Sequence, residues 1–177
     1  MTKKKQKGFS LIELLIVVAI ILIIAAIAIP NLLRSKMAAN EASAVGSVRT
    51  LNTAAITYNS TYGNGFPQSL ATLGGTGAVS CTAAGLIDSV LSAGTKSGYN
   101  FSLVGSKTAL NSSNSSCSAG YGYQEGYLST AVPVAIGTTG QRAFCSDPSG
   151  VIRFNTTGVP GTGANGYNCS TSDNPLQ

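Results

Sequence analysis

Histidine is missing from all 177 residues, and charged residues make up only 10% of them. Without histidine the chain can build no Ser-His-Asp or Cys-His nucleophilic centre and no His-liganded metal site. The four cysteines, Cys81, Cys117, Cys145 and Cys169, are spaced 36, 28 and 24 residues apart, so there is no C-x-x-C pair to hold zinc. Carboxylates are scarce as well. Beyond residue 62 they are Asp88, Glu125, Asp147 and Asp173, with no pairing for acid–base work and no acidic cluster for calcium. Gly161-Thr162-Gly163-Ala164-Asn165-Gly166 spells G-x-G-x-x-G, but no helix follows and no βαβ unit surrounds it, so these are loop glycines. No catalytic residue, cofactor or metal is expected. A basic tract is absent from the body of the chain. Four of the eleven Lys and Arg residues are Lys3, Lys4, Lys5 and Lys7; beyond Gly8, seven Lys and Arg face six Asp and Glu, a net charge of +1. Those charges are scattered, and no nucleic-acid site is expected.

What the chain has instead is an N-terminal segment unlike the rest. Leu14 to Ile29 is sixteen residues without a charge, preceded by a lone carboxylate, Glu13, and by the lysines. A basic head before an apolar run fits a secretory signal with Ala26-Ile27-Ala28 as its cleavage site. It also fits a membrane anchor, since Phe9 to Ile29 is long enough for about 30 Å of hydrocarbon. A third reading is a leader cut before the apolar run. Glu13 favours the third. A carboxylate in lipid costs on the order of 3 kcal/mol on insertion scales, and neither a plain signal nor an anchor gains from it. A cut between Gly8 and Phe9 would create an α-amino group to pair with it, one turn away within the helix or on a neighbouring chain. Buried polar pairs are best attested as devices that set register.

The stretch Gly8-Phe9-Ser10-Leu11-Ile12-Glu13 resembles the processing motif of type IV pilins and of the pseudopilins of type II secretion. Leu14 to Ile29 and Pro30 also follow that family's pattern. The resemblance implies that a prepilin peptidase cleaves after Gly8 and methylates the amine of Phe9. It implies that Glu13, fifth residue of the mature chain, serves subunit register and assembly. The implied partners are the chain itself as a helical homopolymer, the peptidase/N-methyltransferase, an inner-membrane assembly platform, and the membrane before assembly. The leader lysines place the N-terminus on the cytoplasmic side and the C-terminal domain outside. The implied function is the structural subunit of an extracellular type IV pilus serving motility, adhesion or DNA uptake. The alternatives are a major pseudopilin of type II secretion or, in another class, a membrane-anchored envelope binding module.

Residues 1–8 are therefore expected to be a leader, 9–33 a hydrophobic membrane or filament-core helix, and 34–177 a globular domain. Within that domain, 34–62 continues the helix, 63–98 is loop, 99–154 is sheet and 155–177 is C-terminal loop. Pro30 breaks the helix by removing a hydrogen bond and crowding the turn before it. After it, Ala38, Ala42, Val45, Val48, Leu51, Ala55, Tyr58 and Tyr62 recur every three or four residues as an apolar stripe. Asn40, Ser43, Ser47, Asn52 and Asn59 fall opposite. Gly63 caps the helix. A helical turn is predicted over 69–73 and a short helix over 86–91. Strands are predicted over 99–103 and 121–134, with Tyr121, Tyr123 and Tyr127 on one face. A hairpin is predicted from 141–145 and 151–154 around Asp147-Pro148-Ser149-Gly150. The fold class is α+β: one long helix packed on a small antiparallel sheet of three or four strands, as in the pilin fold. All four cysteines lie in the part expected to be exported, which predicts two disulfides. Of three connectivities, Cys81–Cys117 and Cys145–Cys169 are preferred, because the second would tie down the tail.

Overall fold

The structure, a computed structural model, describes residues 8–63, 65–75, 77–106, 124–163 and 168–176. The chain divides into two compact units, Met1–Lys36 and Met37–Gln177. Helix α1 (Leu11–Tyr62) supplies the helical residues of the first unit and the packing helix of the second. From Phe9 to Val45 there is no glycine, and Leu, Ile and Ala dominate, so helix propensity is high throughout. Gly63 ends α1 in the left-handed region at φ 63°, its N–H donating to the Asn59 carbonyl at 2.9 Å.

In the second unit α1 packs on an antiparallel sheet. Its strands are β1 (Thr95–Lys96), β2 (Tyr99–Gly105), β3 (Tyr127–Pro133), β4 (Ala143–Ser146), β5 (Ile152–Asn155) and β6 (Asn174–Pro175), in that spatial order. The long helix over a small antiparallel sheet is the expected α+β fold. The sheet has six strands where three or four were expected; the additions, β1 and β6, are two residues each and too short to leave a period. β1 exists because Ser97 and Gly98 both take positive φ, 50° and 74°, closing a tight hairpin to β2. The predicted hairpin between β4 and β5 forms, with Asp147 Oδ1 accepting from the Ser149 N–H and the Asp147 carbonyl from Gly150.

Other expectations are corrected. The helix predicted over 86–91 is a single turn, α3 (Ser89–Ser92), because Asp88 caps it by accepting the Leu91 N–H at 2.9 Å. The helical turn predicted over 69–73 does form, as α2 (Leu70–Leu73). Within the strand expected over 121–134, only 127–133 is β3; Tyr121 and Tyr123 lie outside the described residues.

The apolar stripe of α1 is only partly the buried face. Val48, Leu51, Ala55 and Tyr58 are in the core with Tyr99, Phe101, Tyr127 and Phe144, whereas Ala38 and Ala42 are exposed. Ser47 and Asn52, expected on the solvent face, are buried. Asn52 donates to Ser146 Oγ at 2.7 Å and accepts from the Tyr127 hydroxyl at 3.2 Å. A buried amide is tolerated when its partners are supplied, and here they come from two strands remote in sequence. Burial, with the Asp147 charge adding to it, pushes the Tyr127 hydroxyl up to about 12, so it stays a donor.

β2 alternates cleanly, with Tyr99, Phe101 and Leu103 inward. β3 and β4 do not, because their other face is covered too. Leu128, Cys145 and Cys169 form a second small cluster there, carried by the C-terminal tail. The tail is held by the Cys145–Cys169 disulfide and by Asp173, whose carboxylate accepts from the Gly161 N–H at 2.8 Å and from Asn155 Nδ2 at 2.9 Å.

Glu41 fastens the β3–β4 connection to α1. Its carboxylate accepts from the Gln141 N–H at 2.8 Å, the Arg142 N–H at 3.2 Å and Arg142 Nε at 2.7 Å. The guanidinium also lies 5.6 Å and 5.2 Å from the ring centroids of Phe144 and Phe154. Burial acts to raise the Glu41 pKa, but the Gln141 N–H and Arg142 outweigh it, and the carboxyl is held below its ordinary value of 4.5. A depressed carboxylate stabilises the fold above its unfolded value and loses that contribution as pH falls through its folded value. Arg142→Ala is therefore expected to cost about 2 kcal/mol at neutral pH. The gap to the wild-type chain should narrow as pH drops below 4.5. Thermal unfolding of both chains in detergent between pH 3 and 7 checks this; a gap independent of pH would assign the loss to the ring contacts instead.

Candidate functional site

The Met1–Lys36 unit is an apolar helix with an elaborated start. Gly8, Phe9 and Ser10 precede α1, and Phe9 is 90% exposed. Ser10 is the residue before the first helical turn. Its carbonyl accepts the Leu14 N–H at 3.3 Å, and its own N–H donates to Glu13 Oε2 at 2.9 Å. That reach of the third helical residue back to the N-cap N–H is half of a capping box. Glu13 thus satisfies a donor that the helix leaves orphaned and places negative charge at the positive end of the helix dipole. This role was missed by the reading of Glu13 as a pairing group alone. The signal was present, since Ser10-Leu11-Ile12-Glu13 spells S-x-x-E ahead of an apolar run.

Behind the cap every large apolar side chain is exposed, from Leu11 at 75% through Ile20 at 51% to Leu32 at 69%. α1 holds an 18-residue window of mean hydropathy 3.3, enough by length and composition to cross a membrane. Pro30 lies inside α1, and the helix runs through it rather than stopping. Proline still has no N–H to give the Ala26 carbonyl, so the turn before Pro30 lacks one regular bond within a continuous helix.

Gly8, Phe9 and Glu13 are thus brought together at one helix start, and Pro30 lies 17 residues further along the same helix. The cysteines belong to the second unit. Cys145 and Cys169 are joined, with Cα atoms 5.9 Å apart. Cys81 is also disulfide-bonded; Cys117 lies outside the described residues. Among the described residues no group of three or more Cys, Asp or Glu side chains is placed to hold a metal.

A capped apolar helix bearing one acid and a small disulfide-linked α+β domain are what the described residues present. Residues 3–29 match the prokaryotic N-terminal methylation motif. The chain is 60% identical over 38 residues to the type IV wide pilus major component PilA4 of Thermus thermophilus; this stretch is 22% of the chain and 29% of that relative. The chain therefore matches less than a third of the relative's length. No solved structure matches. The motif and this relative make the N-terminal segment of the chain similar to that of type IV pilins.

Proposed function

We propose that this chain is the repeating subunit of an extracellular type IV pilus. It is made as an inner-membrane precursor with its N-terminus cytoplasmic, cut between Gly8 and Phe9, methylated on the new amine and delivered by an assembly platform into a helical homopolymer. The observation that carries the reading is the methylation motif over residues 3–29, with a single acid, Glu13, one turn from the proposed new terminus and an otherwise uncharged exposed helix behind it.

The physics of the proposed step is an exchange of surroundings. In lipid the exposed apolar side chains face hydrocarbon; in the filament they would face copies of themselves. Apolar burial changes little in that exchange, so packing and polar pairing decide it. Cleavage would put a positively charged amine on Phe9 itself, and Glu13 is the acid it would meet. Loss of backbone bonding near Pro30 would be tolerated where neighbouring helices enclose it. The Cys145–Cys169 disulfide and the disulfide-bonded Cys81 suit the oxidising side of the membrane.

The direct test is the mass of the isolated protein together with images of the cell surface. The expected mass is that of residues 9–177 plus one methyl group, from material sheared off as filaments. A chain that retains Met1 or Thr2 at its N-terminus and stays in the membrane would leave only an anchored envelope protein.

A further inference from the structure

Among the described residues of the Met37–Gln177 unit, charged side chains are few and most are matched within the chain. Glu41 is bonded to Arg142, and Lys96 to Asp88. Arg153 donates to the Asp173 carbonyl, and the Asp173 and Asp147 carboxylates accept N–H donors. Among the described residues of this unit, two charged side chains make no hydrogen bond or ion pair: Arg49 and Glu125. Both are exposed, and they are of opposite sign.

Their surroundings differ. Arg49 lines an open cleft of about 330 Å³ on α1, with Thr50, Thr53, Ala54, Thr57 and Leu86. The three threonine hydroxyls donate back to the carbonyls of Gly46, Arg49 and Thr53, at 3.1, 3.1 and 2.9 Å. The walls of the cleft therefore offer methyl groups, and the guanidinium is the only charge among the described residues that line it. Glu125 lies beyond the end of α1, next to Gln124, whose backbone pairs with Gly65 and Phe66. Arg49 is thirteen residues before Tyr62, the last residue of α1, about 20 Å along the helix axis. The two groups do not meet within one chain.

We infer that Glu125 of one copy enters the Arg49 cleft of another, forming an ion pair repeated between subunits. The inference rests on the polymer reading above. Two different patches joined head to tail make a heterologous contact, which builds an open helical array instead of a closed dimer. A partly exposed pair adds little affinity. Its effect is on selection, because complementary charges fix the docking geometry and like charges oppose it.

The test uses cells in which the full-length chain is the sole copy, with filament yield measured after shearing and the cell-held subunit level measured alongside. Arg49→Glu and Glu125→Arg are each expected to lower yield about tenfold at an unchanged subunit level. The double swap, Arg49→Glu with Glu125→Arg, is expected to restore it to within about threefold of wild type. Both residues are exposed, so neither reversal removes an internal hydrogen bond or ion pair; the milder Arg49→Gln and Glu125→Gln should each give an intermediate yield. Normal yields from both reversals, or a swap no better than either reversal, would overturn the contact while leaving the polymer intact. A wild-type strain without filaments would overturn the polymer reading and the contact with it.

Discussion

Gly8→Glu is expected to leave the chain uncut in the membrane, with processing reduced roughly a hundredfold or more, the scale seen when a scissile group is displaced by about 1 Å. The argument starts from what Gly8 does for its own chain, which is nothing the fold requires. A Cβ built on it meets no atom within 4 Å, and its φ lies outside the left-handed region that favours glycine. It precedes α1 and supports no part of either core. A substitution there costs the folded chain nothing, so any large effect must come from a second molecule that has to approach this backbone closely. Glycine is the residue that permits such an approach. Immunoblotting for precursor and mature forms measures the outcome. A mature-sized product from the variant would move the proposed cut elsewhere.

Glu13 is expected to separate into two functions when the charge is removed without the shape. Glu13→Gln keeps an acceptor at the third helical position and retains the capping box with the Ser10 N–H. It cannot neutralise an amine. If assembly depends on the charge, Gln should lower filament yield about thirtyfold or more, equivalent to about 2 kcal/mol or above for truncating a desolvated charge pair. Glu13→Ala should assemble as poorly and also fray the first turn, a loss of about 1 kcal/mol in the helix start. Cleavage should continue in both, since Gly8 and Phe9 are untouched. Filament yield, with the mature subunit level as control, distinguishes the cases. Normal filaments from Glu13→Gln would reduce the acid to a cap and remove it from assembly.

The N-terminal unit was legible because its constraints are local. Leu14 to Ile29 is apolar on all sides, and no tertiary contact is needed to explain it. The Ser10–Glu13 cap is also local, three residues apart, and was overlooked only because the acid already had a more conspicuous reading. The second unit was less legible wherever a polar residue faced inward. Asn52 reads as solvent-facing by its period, yet it lies beneath Tyr127 and Ser146. Glu41 carries no sign in the sequence that Gln141 and Arg142, a hundred residues on, will surround its carboxylate. Strands β3 and β4 hide their alternation because a second layer covers them, and that layer includes the tail, which has no period of its own.

By itself the amino-acid order determined the long helix, its apolar and mixed halves, the β2 strand, the β4–β5 hairpin and the processing-type start. Each arises from residues within one turn or one strand of each other, where spacing and side-chain chemistry suffice. Only the folded chain decided which face of α1 is buried, how the tail closes over the sheet, and which charges are left for another molecule. Those outcomes depend on partners distant in sequence, and a polar group's place is set by whether such a partner reaches it.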